Sequence, residues 1–271
     1  MNLKQKIRLN YTKGNFSMLL AIDIGNTNVT LGICKEEKFV LTARLATETG
    51  RTSDQYAIDI KEVLSLHGED YKNIEGCIIS SVVPSVGDAV AKGIEALCKV
   101  KPMVLGPGLK TGLNIKIDNP AQLGADLAAG AVGAIEKYPL PAIVIDMGTA
   151  TTISLIGKNG EMLGGAIAAG VRLTLKALFE NTAQLPSVNI EAPQSVIGKN
   201  TVDCMKSGLV FGAAGMIDGI VERMEESYGK VNSIVATGGL SKEIIKHCKN
   251  DIIYDENLLL DGLLTIYKKN I

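Results

Sequence analysis

The feature that most constrains this chain is a short acidic turn between two apolar strands, written twice. The first copy is Ile22-Asp23-Ile24-Gly25-Asn26-Thr27-Asn28-Val29-Thr30-Leu31-Gly32-Ile33, entered by an apolar run from Met18. The second is Ile143-Val144-Ile145-Asp146-Met147-Gly148-Thr149-Ala150-Thr151-Thr152-Ile153-Ser154-Leu155-Ile156. Each reads apolar strand, Asp, one residue, Gly, a Thr-bearing turn and a second apolar strand, which is a hairpin pattern. Gly beside Asn and Thr lets backbone N–H groups and hydroxyls come close to an anion. Two such turns facing each other across a cleft would hold a polyphosphate with its metal. Alone, either aspartate has a simpler use, accepting hydrogen bonds from its own turn. Its repetition in an equivalent turn favours a shared site.

The repeat predicts two halves of one α/β protein, and 271 residues are enough for two domains of about 120–150 each. The division expected is a tail over 1–17, an N-terminal domain over 18–118 and a C-terminal domain over 119–271, with no low-complexity linker between the halves. The tail is polar and basic. It reads as a loose extension, the product of an upstream start codon, or an arm for an acidic partner. A formal net charge of −1 leaves no general basic field for nucleic acid or an anionic membrane. With no Trp and few aromatics, the chain has no platform for stacking single-stranded bases. Cys34, Cys77, Cys98, Cys204 and Cys248 are scattered without metal-ligand spacing, as free thiols of a reducing cytoplasm would be. His67 and His247 stand apart, which argues against zinc chemistry and His-based triads. No apolar run approaches ~18 residues and no signal segment is visible, so a cytoplasmic location is expected.

Taken in order, a third strand is expected over Phe39 to Ala46 and a helix over Thr52 to His67, with Thr52, Ser53 or Asp54 as cap. Cys77 to Val83 reads as a buried strand, Ser85 to Cys98 as a helix, and Met103 to Leu105 as a short strand. Gly106-Pro107-Gly108-Leu109-Lys110-Thr111-Gly112 looks like a phosphate loop but lacks the Lys-Ser/Thr and helix start. It reads as a structural turn, with Lys110 left as a candidate anion contact. Leu113 to Ile117 alternates as a strand. Asp118-Asn119-Pro120 announces a helix over Ala121 to Glu136, opening near Gly124-Ala125-Asp126. Asp126 there has two readings, a complement to the helix dipole or a catalytic carboxylate, and position alone favours the first. Beyond the second hairpin, strands are expected over Met162 to Ala169, Ser233 to Ala236 and Ile252 to Tyr254. Helices are expected over Val171 to Phe179, Thr201 to Tyr228, from about Ser241, and over Asn257 to Tyr267. Small residues at Gly208, Gly212, Ala213 and Gly215 suggest close approach to another helix.

Asp23 to Thr30, Asp146 to Thr152 and Thr237-Gly238-Gly239, in this order, resemble the acetate-and-sugar-kinase, heat-shock-70 and actin superfamily. That resemblance implies an α/β fold of two ribonuclease-H-like, actin-like ATPase domains with a central nucleotide cleft. The motifs at 23–28, 106–112, 119–120, 124–126, 146–151 and 198–201 more narrowly resemble the type III pantothenate kinases, from about Met18 to the C-terminus. What this implies is ATP-dependent phosphorylation of pantothenate, the first step of coenzyme A synthesis, by a homodimer. Asp23, Ile24, Gly25, Asn26, Thr27, Asn28, Val29 and Thr30 would form the first phosphate loop, with Thr149 contributing from the second. Asp146 would hold a monovalent cation, K⁺ or NH₄⁺, and Asp23 would contact the Mg²⁺ that arrives with ATP. Asp126 would be the general base, with Gly124, Ala125, Leu127 and Thr201 at the pantothenate. Thr201 would come from the other subunit, although a helix N-cap is its simpler reading.

The chain departs from the family pattern on the acceptor side. Leu127 stands where members usually have Arg, Ile117 where they have Tyr, and Ala169 where Pro is common. Leu127 removes a fixed cation with five donors. Three outcomes follow: replacement contacts for pantothenate, with Lys110 or Arg172 as candidates; a related, more apolar alcohol; or a nucleotide-binding homologue acting as a regulatory factor.

Overall fold

The computed structural model describes residues 18–271, so the expected tail over 1–17 lies outside the described residues. Two sheets dominate. The first has the order β3-β2-β1-β4-β5, from β1 (Leu19–Ile24), β2 (Asn28–Lys35), β3 (Lys38–Ala46), β4 (Gly76–Ser81) and β5 (Met103–Val104). The second has the order β11-β10-β7-β8-β9-β6. Its members are β6 (Asn114–Ile115), β7 (Ala142–Met147), β8 (Ala150–Ile156), β9 (Glu161–Ala169), β10 (Ser233–Thr237) and β11 (Ile253–Tyr254).

The halves repeat each other strand for strand. In each, an antiparallel meander of three strands (β1–β3, β7–β9) is extended by two parallel strands beside the first of them. The registers match at the acidic turns. Asp23 lies opposite Thr30 and beside Ser80, while Asp146 lies opposite Thr152 and beside Thr237. β6 is the exception, pairing with β9 on the edge of the second sheet.

Strand alternation decides where the aspartates point. Leu20, Ile22 and Ile24 pack outward on α1 (Ser53–Leu66) and α2 (Pro84–Cys98), whose Tyr56, Ile60, Leu64, Val86, Val90 and Ile94 are buried. Each such side chain contributes roughly 1.5–3 kcal/mol on burial. Thr52 caps α1 in a full capping box with Gln55, the first of the three expected caps. Leu19 and Ala21 face the other way, so Asp23 does too, onto α3 (Ala125–Lys137) and α7 (Leu258–Lys268). In the second sheet Ile143, Ile145 and Met147 pack outward on α4 (Val171–Glu180), α5 (Thr201–Tyr228) and the short α6 (Ser241–Ile244). Val144 faces α3, and Asp146 shares its side.

Helices α3 and α7 therefore form a middle layer. Ala128, Ala129 and Val132 of α3 pack with the first sheet, whereas its Ala131 and Ala134 pack with the second. The two helices touch backbone to backbone: a Cβ on Gly262 would collide with the Ala129 carbonyl, and one on Gly133 with the Leu258 carbonyl. At the far end of α3, Lys137 Nζ pairs with Asp255 and Asp261 at 2.5 Å each.

One expectation is corrected within α5. Gly208, Gly212, Ala213 and Gly215 are expected to lie against another helix, but among the described residues nothing beyond α5's own neighbouring backbone lies within 4 Å of a Cβ built on the three glycines. The buried side of α5 is instead Met205, Leu209, Val210, Ala214, Ile217 and Val221, so the glycines follow the opposite, outward face. α5 is long and apolar enough on average to pass for a membrane span, but that inner side belongs to the second sheet's core. The 106–112 loop is tied to the chain end: Lys110 N donates to Asn270 Oδ1 at 3.0 Å, and Lys269 Nζ to the Thr111 carbonyl at 2.9 Å. That is the structural turn expected of it.

Candidate active site

The two acidic turns meet. Thr27 Oγ1 and Thr149 Oγ1 are hydrogen-bonded at 2.9 Å across 122 residues of sequence, so the tips of β1–β2 and β7–β8 face each other directly. Each tip is braced by its own half. Thr47 secures the first: its N–H donates to Thr27 O at 3.0 Å and its hydroxyl to Gly25 O at 2.8 Å. Gly170, which caps α4, secures the second by donating to Thr149 O at 3.0 Å. A side chain at Gly170 would strike the carbonyls of Gly148 and Thr149. The third motif joins the second through Gly238, whose φ of 99° suits glycine and whose Cα sits against the Met147 backbone. Of these braces the sequence singles out only the Thr237-Gly238-Gly239 turn, without naming its partner; Thr47 and Gly170 carry no such mark. Glycines beside strands were the available signal, but their partners lie far along the chain.

Behind the tips, three carboxylates converge. Asp23 and Asp146 come from the inner faces of the two sheets, and Asp126 from the first turn of α3. Burial, first, pushes Asp23 up to about 7; the Ser80 hydroxyl pulls it back, and Asp146 and Asp126 add repulsion. Burial and then Asp126 push Asp146 up to about 6. Asp126 is raised by burial and pulled down by backbone N–H groups, among them Leu127 N at 2.7 Å. The three carboxyls thus lie within electrostatic reach of one another. Asp23 Oδ1, moreover, is buried without a hydrogen-bond partner.

Such a set fits a cation. An unpartnered carboxylate oxygen among mutually repelling carboxylates is satisfied by a hard, oxygen-seeking ion. Among the described residues no three acidic, His or Cys side chains form a ready-made cage. That suits Mg²⁺, which keeps waters and takes phosphate oxygens beside one or two carboxylates.

Of the other expected residues, Gly124 caps α3 without a side chain, and a Cβ there would collide with Asp126 Oδ1. Ala125 and Leu127 flank Asp126 and are half-buried. In the first turn, Ile24 and Val29 are buried, Gly25 and Thr30 half-buried, and Asn26, Thr27 and Asn28 exposed at the tip. Thr201 is the first residue of α5, exposed, and makes no hydrogen bond to the aspartates; Asn200 is the cap, accepting from Asp203 N at 2.9 Å.

The model of the family described as type III pantothenate kinase matches residues 19–223. The chain is 43% identical over 258 residues to the type III pantothenate kinase of Halalkalibacterium halodurans, covering 94% of this chain and all of that one. This chain belongs to the type III pantothenate kinases. A second relative in the family, from Bacillus cytotoxicus, is 41% identical over 93% of this chain and 97% of its own.

Solved structures share the fold at low identity. A Campylobacter jejuni protein named for a Baf family of transcriptional activators superposes with a TM-score of 0.57 at 20% identity, covering 93% of this chain and 98% of its own. Component A of the Acidaminococcus fermentans (R)-2-hydroxyglutaryl-CoA dehydratase gives 0.56 at 19%, covering 92% and 96%. The actin-like ATPase architecture expected from the three turns is the one observed.

Proposed function

We infer that the chain catalyses the ATP-dependent phosphorylation of pantothenate, the first step of coenzyme A synthesis. The observation that carries this is the meeting of Asp23, Asp146 and Asp126 behind two hydroxyl-bearing turns that touch across the cleft, in a chain of this family. The tips supply N–H groups and the Thr27 and Thr149 hydroxyls to the phosphates. Asp126 takes the proton from the pantothenate primary hydroxyl as its oxygen bonds to the γ-phosphorus and the bond to the ADP oxygen breaks. Burial raises its carboxyl above the ordinary carboxylate range, the direction that strengthens a base. Asp146 would hold K⁺ or NH₄⁺ and Asp23 would contact Mg²⁺; when bound, these ions offset phosphate charge. Gly124, Ala125, Leu127 and Thr201 would line the acceptor.

The enzyme would work in the cytoplasm as a homodimer. The outward glycine face of α5 and the exposed Ile167, Ile197 and Val202 support a second copy there, with Thr201 at its edge. The N-terminal domain would be 18–118 and the C-terminal 119–271. ADP release coupled to a spectrophotometric readout, with and without pantothenate and K⁺, tests the reading. Pantothenate should stimulate release severalfold, and no stimulation at millimolar pantothenate overturns it. One residue favours a second reading, a nucleotide-binding regulator that no longer transfers phosphate. Leu127 puts no charge beside Asp126, and the same assay decides.

A further inference from the structure

We propose that Ser80 is a positioning residue for the nucleotide side of the site: its hydroxyl donates to the Asp23 carboxylate and sets the orientation in which that carboxylate meets nucleotide and metal. This rests on the placement of the nucleotide given above. Ser80 lies beside Asp23 in the parallel β1–β4 register. It shares the inner face with Ile78, as Asp23 does with Leu19 and Ala21.

Two unpartnered polar atoms sit at this one register. Ser80 is fully buried and its Oγ has no hydrogen-bond partner; Asp23 Oδ1 is buried and unpartnered as well. Burying a hydroxyl unsatisfied is costly, and alanine would fill the place without that cost. Packing therefore does not explain a hydroxyl here. The neighbouring Ser81 makes the contrast, since its Oγ is committed to its own turn, donating to Val83 O at 3.0 Å and accepting from Val83 N at 3.1 Å. For Ser80 the carboxylate beside it in the strand register is that of Asp23.

The second half has a hydroxyl residue at the equivalent register position. Thr237, also buried, lies beside Asp146 in the matching β7–β10 register. Two sheets of different sequence thus place a small hydroxyl residue on the parallel side of each aspartate. A carboxylate so held needs less ordering when phosphate and metal arrive, which favours binding.

The test compares Ser80→Ala, Asp23→Asn and the double variant in the full-length enzyme. The probe is Mg·ADP, measured by equilibrium binding alongside KM for ATP and for pantothenate. Ser80→Ala should weaken Mg·ADP about tenfold, the scale of one hydrogen bond to a charged group, and raise KM for ATP similarly, with KM for pantothenate within twofold. In the Asp23→Asn background the same change should move Mg·ADP affinity less than twofold, because the partner is gone. Ser80→Thr, which keeps the hydroxyl, should recover most of the affinity; where the alanine variant does not fold, Ser80→Cys takes its place in the cycle. Wild-type affinity in Ser80→Ala, equal damage to both substrates, or an undiminished loss in the Asp23→Asn background overturns the proposal. If Asp23→Asn itself binds Mg·ADP normally, the nucleotide placement is what has failed.

Discussion

The two sides of the cleft are built to different standards. On the side proposed for the nucleotide, two hairpins from opposite sheets touch, each braced from its own half, and Asp23 and Asp146 are half-buried behind them. On the acceptor side, Asp126 stands at the open end of one helix, Leu127 beside it offers no charge, and Thr201 is exposed at the start of another. In the proposed reading the nucleotide side is complete within one chain, whereas the acceptor side draws on a second. Phosphoryl transfer allows this division, because the anionic nucleotide needs fixed dipoles and ions whereas the alcohol needs a base and a shaped place to sit.

The largest effect should separate the sides cleanly. Asp126→Asn removes the proton acceptor while keeping shape, and should lower kcat by about 10²–10⁴-fold. Mg·ADP affinity should stay within about twofold, since in this reading the nucleotide rests on the two hairpins. An active Asp126→Asn enzyme would remove the base, and a joint loss of nucleotide binding would erase the distinction between the sides.

Asp23→Asn should do the reverse, weakening Mg·ADP about tenfold or more while stabilising the ligand- and metal-free protein. The sign follows from proton linkage. Asp23 is raised in the folded state, from 3.8 to about 7, so between these values the folded chain binds more protons than the unfolded one. Stability is therefore greatest below about pH 4 as far as this group goes, and falls as pH rises toward 7. Asp146, raised to about 6, acts in the same sense. Thermal melts should show Asp23→Asn several degrees more stable than wild type at pH 7.5, with the gain shrinking at pH 5. A variant less stable at pH 7.5 would mean that Asp23 holds the fold together and is not a strained functional group. Such a trade is the usual signature of a site kept for function.

How much of this contrast was legible follows from where each signal lives. A hairpin is local, so Asp23, Asp146 and their turns could be read from alternation and small turn residues. α5 likewise begins at Thr201 and ends at Tyr228 as its periodicity predicts. The partners of the braces could not be read. Gly170 and Gly238 matter because of backbones they meet across the fold, and Ser80 because of a strand far from it in sequence. The glycines of α5 meet no helix among the described residues for a related reason: small residues signal close approach but do not say whether the neighbour is in the same chain. The alternation over Leu113 to Ile117 marks a strand, which forms over Asn114–Ile115, but nothing local names its partner β9.

A moderate effect should sharpen the acceptor side. Leu127→Arg restores a cation with five donors beside Asp126, and one charge-assisted hydrogen bond is worth about 1.5–3 kcal/mol. KM for pantothenate should fall about tenfold with KM for ATP unchanged. If KM for pantothenate is unmoved, another cation already fills that role, and Lys110 and Arg172 are the residues to replace next.

The smallest effect tests whether the acceptor side is shared between subunits. Thr201→Ala should raise KM for pantothenate by about three- to tenfold, the worth of one neutral hydrogen bond, while nucleotide binding holds. Mixing this variant with the inactive Asp126→Asn enzyme then decides where the threonine acts. If it reaches across to the partner, the mixed dimer has one site bearing both lesions and one bearing neither, because the intact Asp126 of one chain meets the intact Thr201 of the other. KM for pantothenate in the isolated mixed dimer should return to the wild-type value. If Thr201 serves its own chain, every active site in the mixture still lacks it and KM stays raised. That second result would return Thr201 to the start of its own helix and make the acceptor side, like the nucleotide side, the work of a single chain.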